Sequence, residues 1–140
     1  MKQGLRLCLL AQACALMFAG AAAAGQVYDC QVTPKSRDGW IAPRLIIDLD
    51  EALGTAVVAD GLIMEVIKKP VQAQLSKRGK GSVRLNWEVK GIPVGNVNTQ
   101  ENAQYKAILN TEKKTVTVRA VLSYFDNQPD GWGKCTVTSK

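Results

Sequence analysis

Histidine is absent from all 140 residues. Its absence removes the Ser–His–Asp and Cys–His nucleophile systems, together with the commonest zinc ligand. Aromatic residues are few, 6% of the chain. No window of a dozen residues carries a 3.6-residue apolar period, so no long helix is expected. Cysteine is scarce as well: of four, Cys8 and Cys14 lie near the start, leaving Cys30 and Cys135 far apart in the sequence. Without a Cys-x-x-Cys spacing, a redox role for that last pair is disfavoured against a plain structural disulfide.

The first 24 residues have the three regions of an export signal. Lys2 and Arg6 form a basic start, residues 7–19 an apolar run, and residues 20–25 a stretch of Gly and Ala. Cleavage after Ala24 is expected, with Gly25 as second choice, leaving residues 25–140 as one small domain. A retained membrane helix is the competing reading, disfavoured because Gln12 interrupts the run and alanines dominate its second half. Lipidation at Cys14 is disfavoured too, since Gln12 stands where a small or apolar residue is wanted. Removing the leader takes Cys8 and Cys14 with it. Cys30 and Cys135 then have one possible pairing, and closing so long a loop is worth about 4–5 kcal/mol in the chain-entropy view. The compartment implied is the periplasm or the exterior of a bacterial cell envelope, with the processed chain not integral to the membrane.

What is present is period-two alternation. Val83, Leu85, Trp87 and Val89 face one way, and Arg84, Asn86, Glu88 and Lys90 the other, as in a strand with one buried face. From residue 114 to 125, Val116, Val118, Ala120, Leu122 and Tyr124 form the inner stripe. Shorter runs do the same at Tyr28/Cys30/Val32, Leu45/Ile47/Leu49, Val71/Ala73/Leu75 and Tyr105/Ala107/Leu109. Residues 55–59 and 62–69 are apolar on both faces. Asp60-Gly61 reads as a two-residue hairpin turn, because both residue types tolerate positive φ. The longest stretches without alternation are 91–103 and 34–43, and long connections of this kind often carry function.

These signals predict an all-β fold: an antiparallel meander closing into an eight- or nine-stranded β-barrel, with a flattened sandwich as second choice. A Cys30–Cys135 disulfide would join the first strand to the last, which favours closure.

Paired carboxylates are the surviving route to catalysis. Asp48, Asp50 and Glu51 are close enough for a calcium site or an acid/base pair, but they read more simply as a solvated strand face running into a turn. No cofactor or metal is expected. Lys68, Lys69, Lys77, Arg78, Lys80 and Arg84 form a basic run that suits an anionic surface or simply keeps a hairpin soluble. Nucleic acid is disfavoured as a partner because no aromatic residue interleaves with the cations to stack on bases. Tyr28, Trp87, Tyr105 and Tyr124 are the candidate lining of a barrel cavity. Trp40 and Trp132 each follow Asp-Gly and are expected in or beside loops, as plugs for the barrel ends or as exposed binding anchors. Two functions follow as expectations. One is a non-enzymatic binding module for a small apolar ligand or an anionic envelope component. The other is a protein-binding inhibitor or accessory factor of an envelope hydrolase.

Overall fold

The computed structural model describes residues 25–95 and 98–140. The elements run β1 (Gln26–Pro34), β2 (Arg44–Asp50), β3 (Thr55–Asp60), α1 (Gly61–Val66), β4 (Val71–Lys77), β5 (Ser82–Pro93), β6 (Gln100–Asn110), β7 (Thr115–Leu122) and β8 (Asp130–Ser139). Each strand pairs antiparallel with the next, and β8 returns to β1, so the eight strands form a closed barrel. Closure leaves no open first or last strand and therefore no full-length edge for another chain to join.

The alternation of β5 is the clearest case of sequence dictating packing. Val83, Leu85, Trp87 and Val89 are all buried inside the barrel, while the residues between them face outward. On β6 the buried apolar set is Ala103, Tyr105, Ala107 and Leu109, and on β7 it is Val116, Val118, Ala120 and Leu122. Small and large side chains thus meet across the interior, which eight strands leave just wide enough for side chains to fill. The seam between β1 and β8 is tight. Gly133 sits opposite Val32, and a Cβ there would overlap the Gln31 carbonyl oxygen. Cys30 and Cys135 stand directly opposite each other across this seam and are joined as a disulfide.

Two local expectations are corrected. Asp60-Gly61 does not form a hairpin turn: Asp60 keeps extended geometry (φ −146°, ψ 178°), and its Oδ1 accepts the Ile63 amide at 2.7 Å. It is the N-cap of α1, an arrangement worth about 1 kcal/mol. The doubly apolar segment 62–69 accordingly contributes a short helix rather than a ninth strand, with Ile63 fully buried and Leu62, Val66 and Ile67 packed on the core.

The second concerns 91–103, expected as one long loop. Pairing between β5 and β6 resumes after an irregularity between Val89 and Ile92, so that Ile92 faces Glu101 and Pro93 faces Gln100. Gly91 takes φ 75° at this bulge, a conformation open to glycine without strain. The true connection is only residues 94–99.

The barrel has two unlike ends. At the turn end lie the short connections β2/β3, β4/β5 and β6/β7, together with Gly25 and Lys140, whose backbones are hydrogen-bonded at 3.1 Å. The loop end carries residues 35–43, α1, residues 94–95 and 98–99, and residues 123–129.

Candidate functional site

Of the four aromatics expected to line the interior, three do. Trp87 and Tyr105 are register partners on β5 and β6, and their rings stack with centroids 5.4 Å apart and planes 7° from parallel. Tyr28 is buried and its hydroxyl donates to Gln26 Oε1 at 2.8 Å. Burial, and secondarily the charge of Glu51, pushes the Tyr28 phenol above its ordinary pKa. Tyr105 is pushed up further, first by burial and then by Asp60 and Asp38, so it is a permanent hydrogen-bond donor. Its hydroxyl reaches the Trp40 carbonyl at 2.9 Å. Trp87 Nε1 is buried and has no partner among the described residues.

Tyr124 is the exception. It lies beyond β7 with 76% of its surface exposed, outside the barrel. The cause is Glu101, an inward-facing carboxylate that is 1% exposed. Its Oε1 accepts the amides of Asn102 and Ser123 at 2.8 and 2.9 Å, and its Oε2 accepts the amide of Tyr124 at 3.2 Å. Binding two successive amides just after Leu122 turns the chain out of the strand and ends the alternation. Glu101 was not singled out by sequence, since a charged residue on an apolar stripe reads as the end of the stripe.

A recess with apolar walls lies at the loop end. A cleft of about 410 Å³ is bounded by Trp40 from the β1/β2 connection, Leu62 from α1, Ile92, Pro93 and Val94 from the end of β5, and Phe125 from the β7/β8 connection. Asp38 and Asn127 supply polar groups at its rim. The wall bearing Trp40 is locally braced. Asp38 accepts the Trp40 amide at 3.2 Å and the Ser36 hydroxyl at 2.7 Å, while Tyr105 holds the Trp40 carbonyl from below. Trp40 packs partly against the core, and neighbouring Ile41 is buried. Leu62, Ile92, Pro93 and Phe125 were not anticipated as site residues; they come together only through the fold.

Trp132 has a different setting. It points outward from β8 opposite Thr33 and Thr117, 50% exposed, and takes no part in the cleft. The two Asp-Gly-Trp sequences therefore have unrelated surroundings. A second recess of about 390 Å³ is lined by the polar residues Gln72, Gln74, Asn86, Glu88, Gln104 and Lys106 together with Trp87, Tyr105 and Val121.

The basic run does not stay together. Lys68 and Lys69 follow α1 at the loop end, whereas Lys77, Arg78, Lys80 and Arg84 lie at the turn end, with strand β4 between them. The acidic run is engaged locally: Asp48 pairs with Lys140, and Asp50 accepts the Leu53 amide at 2.9 Å to close its turn. Among the described residues no group of three or more His, Cys, Asp or Glu is placed to hold a metal ion. Nor is any described helix long and apolar enough to cross a membrane. The disulfide suits an oxidising compartment.

With this geometry in hand, comparison with known proteins adds no relative: no family model, no curated protein and no solved structure matches the chain.

Proposed function

We propose that the protein is a non-enzymatic binding module of the bacterial cell envelope, periplasmic or secreted, which takes a small apolar or amphipathic ligand in the loop-end cleft. The observation that carries this reading is the convergence of Trp40, Leu62, Ile92 and Phe125 from four separate segments on one recess with a polar rim. Its volume of about 410 Å³ falls in the range of small-molecule sites, roughly 300–1,000 Å³. On this reading the ligand site is the mouth of the barrel. The stacked pair of Trp87 and Tyr105 occupies the interior instead and supports the wall from beneath. The apolar run of residues 7–19 and the Cys30–Cys135 disulfide support the location.

The test is titration with an apolar fluorescent probe, followed through probe emission. Saturable binding should be lost in Trp40→Ala and in Phe125→Ala and kept in Trp132→Ala. Equal binding by all three variants would place the ligand elsewhere and end this reading.

A second reading, an inhibitor or accessory factor that binds an envelope protein, draws on the 76% exposure of Tyr124 and 48% exposure of Phe125 on one connection. Exposed aromatics of this kind serve as interface anchors. Under it, Tyr124→Ala weakens capture of a protein partner while leaving probe binding intact.

A further inference from the structure

The fold assembles a basic surface that the sequence divides. Lys77 ends β4, Arg78 and Lys80 belong to the β4/β5 turn, and Lys113 and Lys114 to the β6/β7 turn, more than thirty residues later. The barrel sets these turns side by side: Ser82 pairs with Asn110, and the Thr111 amide donates to the Gly81 carbonyl at 2.9 Å. Asn110 Oδ1 accepts the Lys113 amide at 2.7 Å and so fixes the second tip. Arg84 adds a sixth cation just above the first tip, and its Nε is buried without a partner among the described residues.

Four ion pairs occur among the described residues, and none uses any of these six cations. The one acidic side chain between the tips, Glu112, lies back over Gly81: a Cβ at Gly81 would come within 2.6 Å of it. The other carboxylates at this end, Asp48, Asp50 and Glu51, sit on β2 and the β2/β3 turn, where the first two are already engaged. The same turn exposes Leu53, 75% accessible.

We propose that the turn end of the barrel docks on the anionic headgroups of a lipid membrane through Lys77, Arg78, Lys80, Arg84, Lys113 and Lys114. Two observations select a lipid surface over a free anion. The cations stand on or beside two turn tips and line neither of the clefts described above, so they offer several contacts to a plane and no enclosure for one phosphate. Leu53 presents an apolar side chain at the same end, suited to the headgroup layer. Docked in this way, the molecule turns its loop end toward the solution. The proposal stands independently of what the loop-end cleft binds.

The test is co-sedimentation of the expressed and purified chain with vesicles of phosphatidylcholine, alone or with about 30% phosphatidylglycerol, near 0.1 M salt. Each protein's N-terminus is established by mass, so that all variants share the same leader state. A cation close to an anionic surface strengthens binding about fivefold, so Lys77→Gln/Arg78→Gln/Lys80→Gln should lower the preference for anionic vesicles by about a hundredfold. Lys113→Gln alone, on the other turn, should lower it by about fivefold, while Lys68→Gln/Lys69→Gln should leave it unchanged. Raising the salt to about 0.5 M should abolish the preference. The proposal is overturned if wild type shows no preference for anionic vesicles, or if the Lys68/Lys69 pair matters as much as the turn residues. Binding to soluble polyphosphate without sedimentation on vesicles would overturn it equally, by assigning the surface to a polyanion.

Discussion

Trp87 and Tyr105, side by side on β5 and β6, stack nearly face to face inside the barrel, yet only Tyr105 has found a hydrogen bond. The Tyr105 hydroxyl ties the Trp40 backbone to the core, whereas the Trp87 indole N–H is buried without a partner among the described residues. Trp87 therefore contributes area and stacking at the expense of one desolvated donor.

Trp87→Phe keeps a ring against Tyr105 and removes that donor. Its cost should stay below about 1.5 kcal/mol, because relief of an unsatisfied group, about 1–3 kcal/mol, offsets the lost area. Trp87→Ala should cost about 3–5 kcal/mol through the cavity it leaves. Urea unfolding of the two variants checks the contrast, and equal losses would mean that the N–H is satisfied in solution.

Glu101 holds three backbone amides with one carboxylate. Glu101→Ala should cost about 3 kcal/mol and free residues 123–129 from the barrel. Glu101→Gln should cost about 1–2 kcal/mol, since one oxygen remains to accept while its amide nitrogen meets another donor. Amide exchange at Ser123 and Tyr124, faster in both variants and fastest in the alanine form, separates this effect from a general loss of stability.

The acid range should show two opposing contributions. Burial raises the Asp60 pKa against the smaller lowering effect of the Ile63 and Leu62 amides, so folding takes up protons there. Its contribution is fully present below the unfolded pKa and is lost as pH rises through the folded value. Asp29 behaves oppositely. The hydrogen bonds from Arg44 lower its pKa, so its contribution is present above the unfolded value and is lost as pH falls through the folded one. Asp60→Asn keeps an N-cap acceptor and removes the charge. Its stability relative to wild type should therefore grow as pH rises from about 4, the ordinary carboxylate region. A difference independent of pH would show that Asp60 does not titrate across this range.

Cys30→Ala/Cys135→Ala opens a loop with a sequence separation of 105. The loss expected from chain entropy is about 4–5 kcal/mol, a large share of the roughly 5–15 kcal/mol available to a small domain. Denaturant midpoints of the oxidised protein, the reduced protein and the double variant should place the last two together, well below the first.

Much of this architecture is legible in the sequence because a half-buried strand writes its own pattern. Val83 to Val89 alternate without a break, and they are buried as that alternation requires. Where the pattern fails, a particular contact interrupts it. Asp60-Gly61 satisfies hairpin chemistry and N-cap chemistry equally, and the choice is made by Ile63, whose burial draws the next turn into a helix too short to display a period. The bulge at Gly91 shifts the phase of β5, which disguised Ile92 as a loop residue. Tyr124 continues the spacing of the β7 stripe but not its strand, because Glu101 captures the chain first. The loop-end cleft was illegible for a different reason. Its walls are far apart in sequence, and only closure of the barrel brings Trp40, Leu62, Ile92 and Phe125 to one mouth.

The pairing of β1 with β8 also sets a timetable. Synthesis releases Gln26–Pro34 first among the strands and Asp130–Ser139 last, yet these two form the longest register on either side of β1. Closure is thus the most non-local step available to the chain, and such steps are slow. Until it occurs, one edge of β1 waits unpaired, and Cys30 waits as a thiol whose only intended partner has not yet been made. A chain built in this way acquires its resistance to unfolding only once β8 has been made, and a stop before β8 would leave seven strands with nothing to hold them in a ring.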